Sequence, residues 1–235
     1  MASSTRPEQA PLEFIRTSTR LGPVALVPEI RLHQASEPIG VWQRTELAAG
    51  RSGLDPPFWA FAWAGGQGLA RYLLDHPEVV RDRPVIDLAS GSGLVAIAAA
   101  RAGAAVVTAY DIDPLAVAAM TLNAEANGVA VRAVQADILD SDILDSDGEG
   151  TEVILAADAF YERELASRMT RYLERGQARG AEVLVGDFGR AYLPQDRLIP
   201  VAGYDVPGLS ALEDHDIKHT TVWTLRAKRL TSGGG

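Results

Sequence analysis

The chain has 235 residues, 47% hydrophobic and 23% charged, which suits one globular domain of the larger kind. A net charge of −9 argues against general affinity for nucleic acid or anionic membrane, and the absence of cysteine removes disulfides and thiolate metal sites. His33, His76, His215 and His219 show no metal-ligand spacing, the N-terminus lacks the apolar segment of a signal peptide, and no apolar run approaches a membrane span, so a soluble cytoplasmic protein without a structural metal is expected.

In chain order, the opening 11 residues and the closing TSGGG have the composition of frayed tails. FIRTSTRL and VALVPEIRLHQ, split by Gly22-Pro23, read as short strands, giving an N-terminal tail and strand extension over 1–53. A main domain over 54–228 follows, then a tail over 229–235. The domain opens with a Pro-rich, aromatic approach, Gly65-Gly66, and a helix carrying Leu69, Tyr72 and Leu73 on one face that ends near His76-Pro77. From Pro84, apolar strands alternate with helical stretches: VIDLA, a helix to Gly103, AVVTAYD, a helix from Pro114 to Asn127, VRAVQAD, VILAAD, a helix from Arg163 to Arg175, and EVLVGD. This pattern predicts an α/β sheet of parallel strands, with Leu198–Tyr204 and Thr220–Leu225 as an antiparallel return at its edge. Between the third and fourth of these strands, ILDSDILDSDGEG repeats a five-residue unit. It does not fit a calcium loop, because the glycine and terminal Glu positions do not line up, and reads as a solvated acidic loop or a surface for a basic partner.

Asp87, Asp111, Asp137, Asp158 and Asp187 each close a strand, where open α/β sheets bind ligands. The turn Ala89-Ser-Gly91-Ser-Gly93 joins the first strand to its helix with residues small enough for a ligand to approach the backbone. Gly91-x-Gly93-x-x-Ala96 also satisfies a dinucleotide pattern. Asp87 separates the two readings: a carboxylate there repels a pyrophosphate at the helix N-terminus, but suits the cationic amino acid end of S-adenosylmethionine, while Asp111 can accept bonds from both ribose hydroxyls.

With IDLASGSG, AYDID, QADIL and AADAFY in order, the chain resembles the seven-strand class I S-adenosylmethionine-dependent methyltransferases over about Phe58 to Leu225. The resemblance implies a Rossmann-like, mostly parallel seven-strand sheet with a reversed last strand and helices on both faces. Ala89 stands where that class has the first glycine of its turn, which implies a slight shift of the turn without loss of binding. A closer resemblance, carried by FWAFAWAGGQGLARYLLDHPEVV, Asp158-Ala-Phe-Tyr161, GDFGR and HTTVWTL, is to the lysine methyltransferases of the electron-transfer flavoprotein β subunit, and more loosely to those of ribosomal protein L11. It implies a protein substrate presenting a lysine, either that β subunit or a ribosomal protein. Ala159-Phe160 replaces the Pro-Pro pair typical of enzymes acting on planar amines, which favours an alkyl amine.

On this resemblance Asp158 orients the lysine amine, and Tyr161 and Phe160 wall its channel, with core packing as the alternative for both aromatics. The cofactor is expected against Trp63, Gly66, Gln67, Asp87, Ala89, Gly91, Gly93, Asp111, Ile112, Asp137 and Ala157, with Asp137 receiving the adenine amine and Ile112 on the ring. Gly65 is expected beside Gly66, and Trp59 divides evenly between site and core. A small-molecule N-methyltransferase, a nicotinamide oxidoreductase and a catalytically silent binding module stay open at this point.

Overall fold

The computed structural model describes residues 9–141, 150–207 and 217–226. Of the expected tails, residues 1–8 and 229–235 lie outside the described residues, whereas 9–11 begin a helix; the second acidic unit at Ile143–Asp147 also lies outside them. The main sheet is built from β3 (Pro84–Leu88), β4 (Val106–Asp111), β5 (Arg132–Gln135), β6 (Val153–Ala157), β7 (Glu182–Asp187), β8 (Leu198–Pro207) and β9 (Ile217–Leu225). It is a seven-stranded sheet of order β5-β4-β3-β6-β7-β9-β8. The strands from β3 to β7 pair in parallel, and β9 runs antiparallel to both β7 and β8, so the last strand is the reversed one. The α/β architecture and the antiparallel return expected from the sequence are both present.

The sheet is covered on both faces, which is why its central strands are nearly continuous runs of apolar residues. Val85, Leu155 and Leu184 point to one side, against α3 (Ala64–Asp75), α4 (Leu94–Arg101) and α5 (Pro114–Ala126). Their sequence neighbours Ile86, Ile154 and Val183 point to the other, against Met169, Tyr172 and Leu173 of α6 (Arg163–Ala178). Asp113 caps α5 by accepting the Leu115 N–H at 2.8 Å, and Pro114 supplies the preset first helical residue. No helix among the described residues is long and apolar enough to cross a membrane.

The N-terminal region departs from its reading as two strands. Gln9–Ser18 is a helix, α1, followed by a two-stranded hairpin of β1 (Arg20–Pro23) and β2 (Arg31–Gln34), and then by α2 (Pro38–Ala49), which has no counterpart in the sequence reading. FIRTSTRL reads as a strand in isolation, but burial decides: Ile15 is fully buried in a cluster with the small residues Ala116 and Ala119 of α5. The Thr17 and Thr19 hydroxyls return hydrogen bonds to the Glu13 and Ile15 carbonyls, so they are satisfied within helical geometry. Gly22-Pro23 lies inside β1, and Val24, Val27 and Ile30 fill the core from the hairpin loop. Gly65 and Gly66 likewise fall inside the first turn of α3. The first acidic unit is only partly solvated, with Ile138 and Leu139 buried and Asp140 exposed.

Candidate active site

A cavity of about 940 Å³ opens at the carboxyl ends of β3, β4 and β6. One wall is the turn after β3, where Ala89, Gly91 and Gly93 have φ of 49°, 55° and 81°. Gly93 could not carry a side chain cheaply, since a Cβ would meet Met120 at 3.1 Å. Ala89 takes the same left-handed conformation without glycine's freedom, so the substitution noted in the sequence is accommodated by backbone strain. Gly93 itself lies behind the turn and does not line the cavity, whereas Ala89 and Gly91 do.

Asp87 is only 1% exposed; its Oδ2 accepts from the Ser90 hydroxyl and from the Ala96 N–H at 3.1 Å. Burial, with a smaller push from Asp111, raises its carboxyl to about 7 against those bonds. Asp87 takes the Ala96 N–H in the first turn of α4, so a carboxylate sits at the helix N-terminus that would receive a dinucleotide pyrophosphate, which counts against the nicotinamide reading. At the end of β4, Asp111 accepts from Gly91 N–H at 2.9 Å and Asp113 N–H at 3.0 Å, and burial raises its pKa. Ile112 beside it is 66% exposed at the cavity rim, an apolar surface suited to a flat ring. Asp137 lines the cavity and is paired with Arg168 of α6 at 2.8 Å.

Across from these groups lies Asp158, which follows β6 with φ of 55° and a buried side chain. Its Oδ2 accepts the Gly66 N–H at 2.7 Å and its Oδ1 accepts from Arg190 at 2.8 Å. Burial raises its carboxyl to about 6, Arg190 opposing and Asp187 adding to the rise. The approach of α3 to β7 depends on Gly65, where a Cβ would collide with the Gly186 carbonyl and stand 2.7 Å from Asp158 Oδ2. Tyr161 is 48% exposed at the cavity, with its ring centroid 5.2 Å from that of Phe58; burial is the main cause of its raised pKa. Trp63 continues this aromatic wall, 6.0 Å from Phe58, and donates its indole N–H to the Phe58 carbonyl. Ala157 also lines the cavity.

Besides Gly93, three expected site residues are placed elsewhere. Phe160 is fully buried in the core under α6, and Phe58 takes the position beside Tyr161 that the sequence reading gave it. Gln67 is buried away from the cavity, its amide donating to the Ala62 carbonyl and accepting the Leu26 N–H, so its polar atoms hold the hairpin loop to α3. Gly65 serves packing and does not line the cavity. Trp59 does both jobs, being almost fully buried yet part of the cavity wall. The sequence reading missed Arg190 and Arg168, together with the wall contributed by Phe14 of α1 and by Thr45 and Ala48 of α2. Arg190 had a usable signal, since it lies three residues after a strand-ending Asp; the other residues are brought in only by tertiary packing.

A family model described as ribosomal protein L11 methyltransferase (PrmA) matches residues 71–159. Among solved structures, one assigned as a methyltransferase and complexed with S-adenosylhomocysteine superposes with a TM-score of 0.53 at 12% identity, over 74% of this chain and 52% of that one, a likeness of fold. Two curated methyltransferases that are 36% identical over most of the chain, with the acid-flanked small-residue turn and the reversed last strand, make it a class I S-adenosylmethionine-dependent methyltransferase. The electron transfer flavoprotein beta subunit lysine methyltransferase of Xenopus laevis is 36% identical over 221 residues, covering 92% of this chain and 87% of its own length. The protein of the same name from Homo sapiens is 36% identical over 205 residues, with 85% and 75% covered. The chain belongs to the electron transfer flavoprotein beta subunit lysine methyltransferase family.

Proposed function

We propose that the chain methylates lysine side chains of the electron transfer flavoprotein β subunit, the acceptor in the names of its relatives. The observation that carries this reading is Asp158, a buried carboxylate on the wall of the cofactor cavity, fixed from two sides and followed by Ala159 where a planar amine acceptor would call for proline. The cavity suits the cofactor in shape and donor set. Asp111 offers acceptor capacity for the ribose hydroxyls, Asp137 for the adenine amine and Ile112 an apolar face for the ring, while Asp87 balances the cationic amino acid end beside Trp63 and Gly66. Bound S-adenosylmethionine supplies an electrophilic methyl group on its sulfonium.

A lysine is mostly protonated near neutrality and must lose its proton before it can act as a nucleophile. Asp158 orients the amine by accepting a hydrogen bond, holding the nitrogen on the line of attack at about 3–3.5 Å from the reacting carbon. Proton loss to water is compatible with this role. Tyr161, Phe58 and Trp63 exclude water along the lysine's path, and their faces favour the charge of a methylated product by about 0.5–2 kcal/mol. The catalytic domain in this reading is 54–228, with the segment before it supplying part of the cavity wall, and the reaction takes place in the cytoplasm.

A ribosomal protein acceptor is the second reading, favoured by the match of residues 71–159 to the L11 methyltransferase family model. Incubation with methyl-labelled S-adenosylmethionine and a desalted lysate of the source organism, resolved on a gel, separates the two by the mass of the labelled band. Asp158→Ala should lose the band while still binding S-adenosylhomocysteine. Label confined to the small-molecule filtrate would contradict a protein acceptor, and partner capture without any label would point to a silent module. Fractionation of the source cells locates the chain.

A further inference from the structure

We propose that Arg190 is a positioning residue for methyl transfer, holding a fixed positive charge against Asp158 so that the acceptor lysine is oriented as a neutral amine and not trapped as an ammonium. The inference rests on the reading of Asp158 as the lysine-orienting group. Arg190 lines the cavity, although its side chain is only 15% exposed. Its guanidinium donates to Asp158 Oδ1 at 2.8 Å and stands 3.6 Å from Asp187 Oδ2 through Nε. It lies 4.4 Å from the centroid of the Phe188 ring and 5.9 Å from that of Trp63. The loop is wound to aim it there: Asp187 Oδ1 accepts the N–H groups of both Gly189 and Arg190 at 2.7 Å, and Gly189 takes a φ of 93°.

The chemical need follows from the nucleophile. A bare buried carboxylate beside a lysine stabilises the ammonium and raises its pKa, which withholds the lone pair that must attack. A carboxylate paired with a guanidinium can still accept a hydrogen bond from the amine, but offers less negative charge to keep the extra proton than a bare one would. A neighbouring cation also disfavours the ammonium directly, a known way of activating amines. Among the described residues, the charged and titratable groups facing this pair are few. Asp158 comes from the end of β6, Tyr161 from the turn that follows it and Asp187 from the end of β7. Lys218 of β9 lies across the Phe188 ring, 4.2 Å from its centroid. From α3, backbone N–H groups and the Trp63 ring face the pair.

The test is the pH profile of kcat over roughly pH 6.5 to 9.5, with purified electron transfer flavoprotein β subunit as acceptor. Arg190→Gln should move the acid limb upward by about one pH unit while leaving S-adenosylhomocysteine affinity within about twofold, and Arg190→Lys should keep the limb where the parent has it. Should the Gln variant fail to fold, Arg190→Met, which carries no charge at any pH, repeats the measurement. A lower rate with an unmoved limb in the uncharged variant would reduce Arg190 to a packing role and overturn the inference. Asp158→Asn run alongside keeps the two ideas apart. Full turnover in that variant, or a parent enzyme unable to methylate this acceptor, removes the underlying reading and the inference with it; a dead Asp158→Asn with an unmoved Arg190→Gln limb removes the inference alone.

Discussion

Product binding should tighten as pH rises through neutrality, because Asp87 must be ionised to balance a ligand ammonium. Its carboxyl is raised to about 7, mainly by burial. A folded pKa above the unfolded one means that the ligand-free fold retains a proton the unfolded chain has lost; the stability linked to that proton is complete below the unfolded pKa and is lost as pH rises through about 7. A cationic ligand selects the ionised form and so expels the proton. With an ionised Asp87 required, the apparent Kd scales as about 1 + 10^(7 − pH), which is ~11-fold weaker than the limit at pH 6, ~2-fold at pH 7 and ~1.1-fold at pH 8. Titration calorimetry with S-adenosylhomocysteine should therefore show affinity rising about tenfold from pH 6 to pH 8, with about half a proton released at pH 7, read from buffers of different ionisation enthalpy. Asp158 is raised to about 6 and lines the same cavity, so Asp158→Asn is the control for its share of the slope. Asp87→Asn should bind weakly with a flat profile. An affinity that does not change between pH 6 and pH 8, or the same slope in Asp87→Asn, would refute the assignment of the ammonium to Asp87.

Ala89→Gly should raise the melting temperature: a left-handed alanine, here at φ of 49°, costs about 1–2 kcal/mol, and glycine returns about 0.5–1 kcal/mol of that through unfolded-chain entropy. A scanning thermal unfolding experiment should show a gain of about 2–4 °C per kcal/mol, and a loss would mean that the turn is not strained. Asn123→Ala should destabilise by about 2–4 kcal/mol in urea, since Asn123 is fully buried and its loss orphans the Ser92 carbonyl and the His33 N–H together; an effect below about 0.5 kcal/mol would show that the extension docks without it.

How much of this was legible depended on the kind of signal. The order of strands and helices from Pro84 onward is written in apolar runs, and Pro114 and Asn127 bracket α5 within a residue of where it folds. The strand-ending acids Asp87, Asp111, Asp137 and Asp158 could be placed around one cavity because the ends of parallel strands must meet on one edge of the sheet. Phe160 and Tyr161 show the limit, since adjacent residues after β6 go opposite ways and composition does not say which enters the core. The same limit hid the helical form of Gln9–Ser18, whose burial partner lies on α5, about a hundred residues along the chain.

Gln67 acts on the site from outside it. The Trp-x-Gly-Gly-Gln segment placed it in the cofactor site, whereas its amide bonds to Leu26 N–H and the Ala62 carbonyl, holding the hairpin loop to the start of α3. One residue earlier, Gly66 N–H fixes Asp158. Asn123 has the same double position: its Oδ1 accepts from His33 N–H in β2, and its Nδ2 donates to the Ser92 carbonyl in the turn after β3. Asn127, one turn on, takes both the N–H and the carbonyl of Arg31. The extension is therefore latched by side-chain amides on the same two helices that steady Asp158 and the small-residue turn after β3. Each of these amides satisfies one donor and one acceptor, so displacing either side leaves polar groups unpaired. Hence a residue of the motif can be indispensable to the geometry of the site without touching either ligand, because it fixes the backbone from which Asp158 and the small-residue turn are presented.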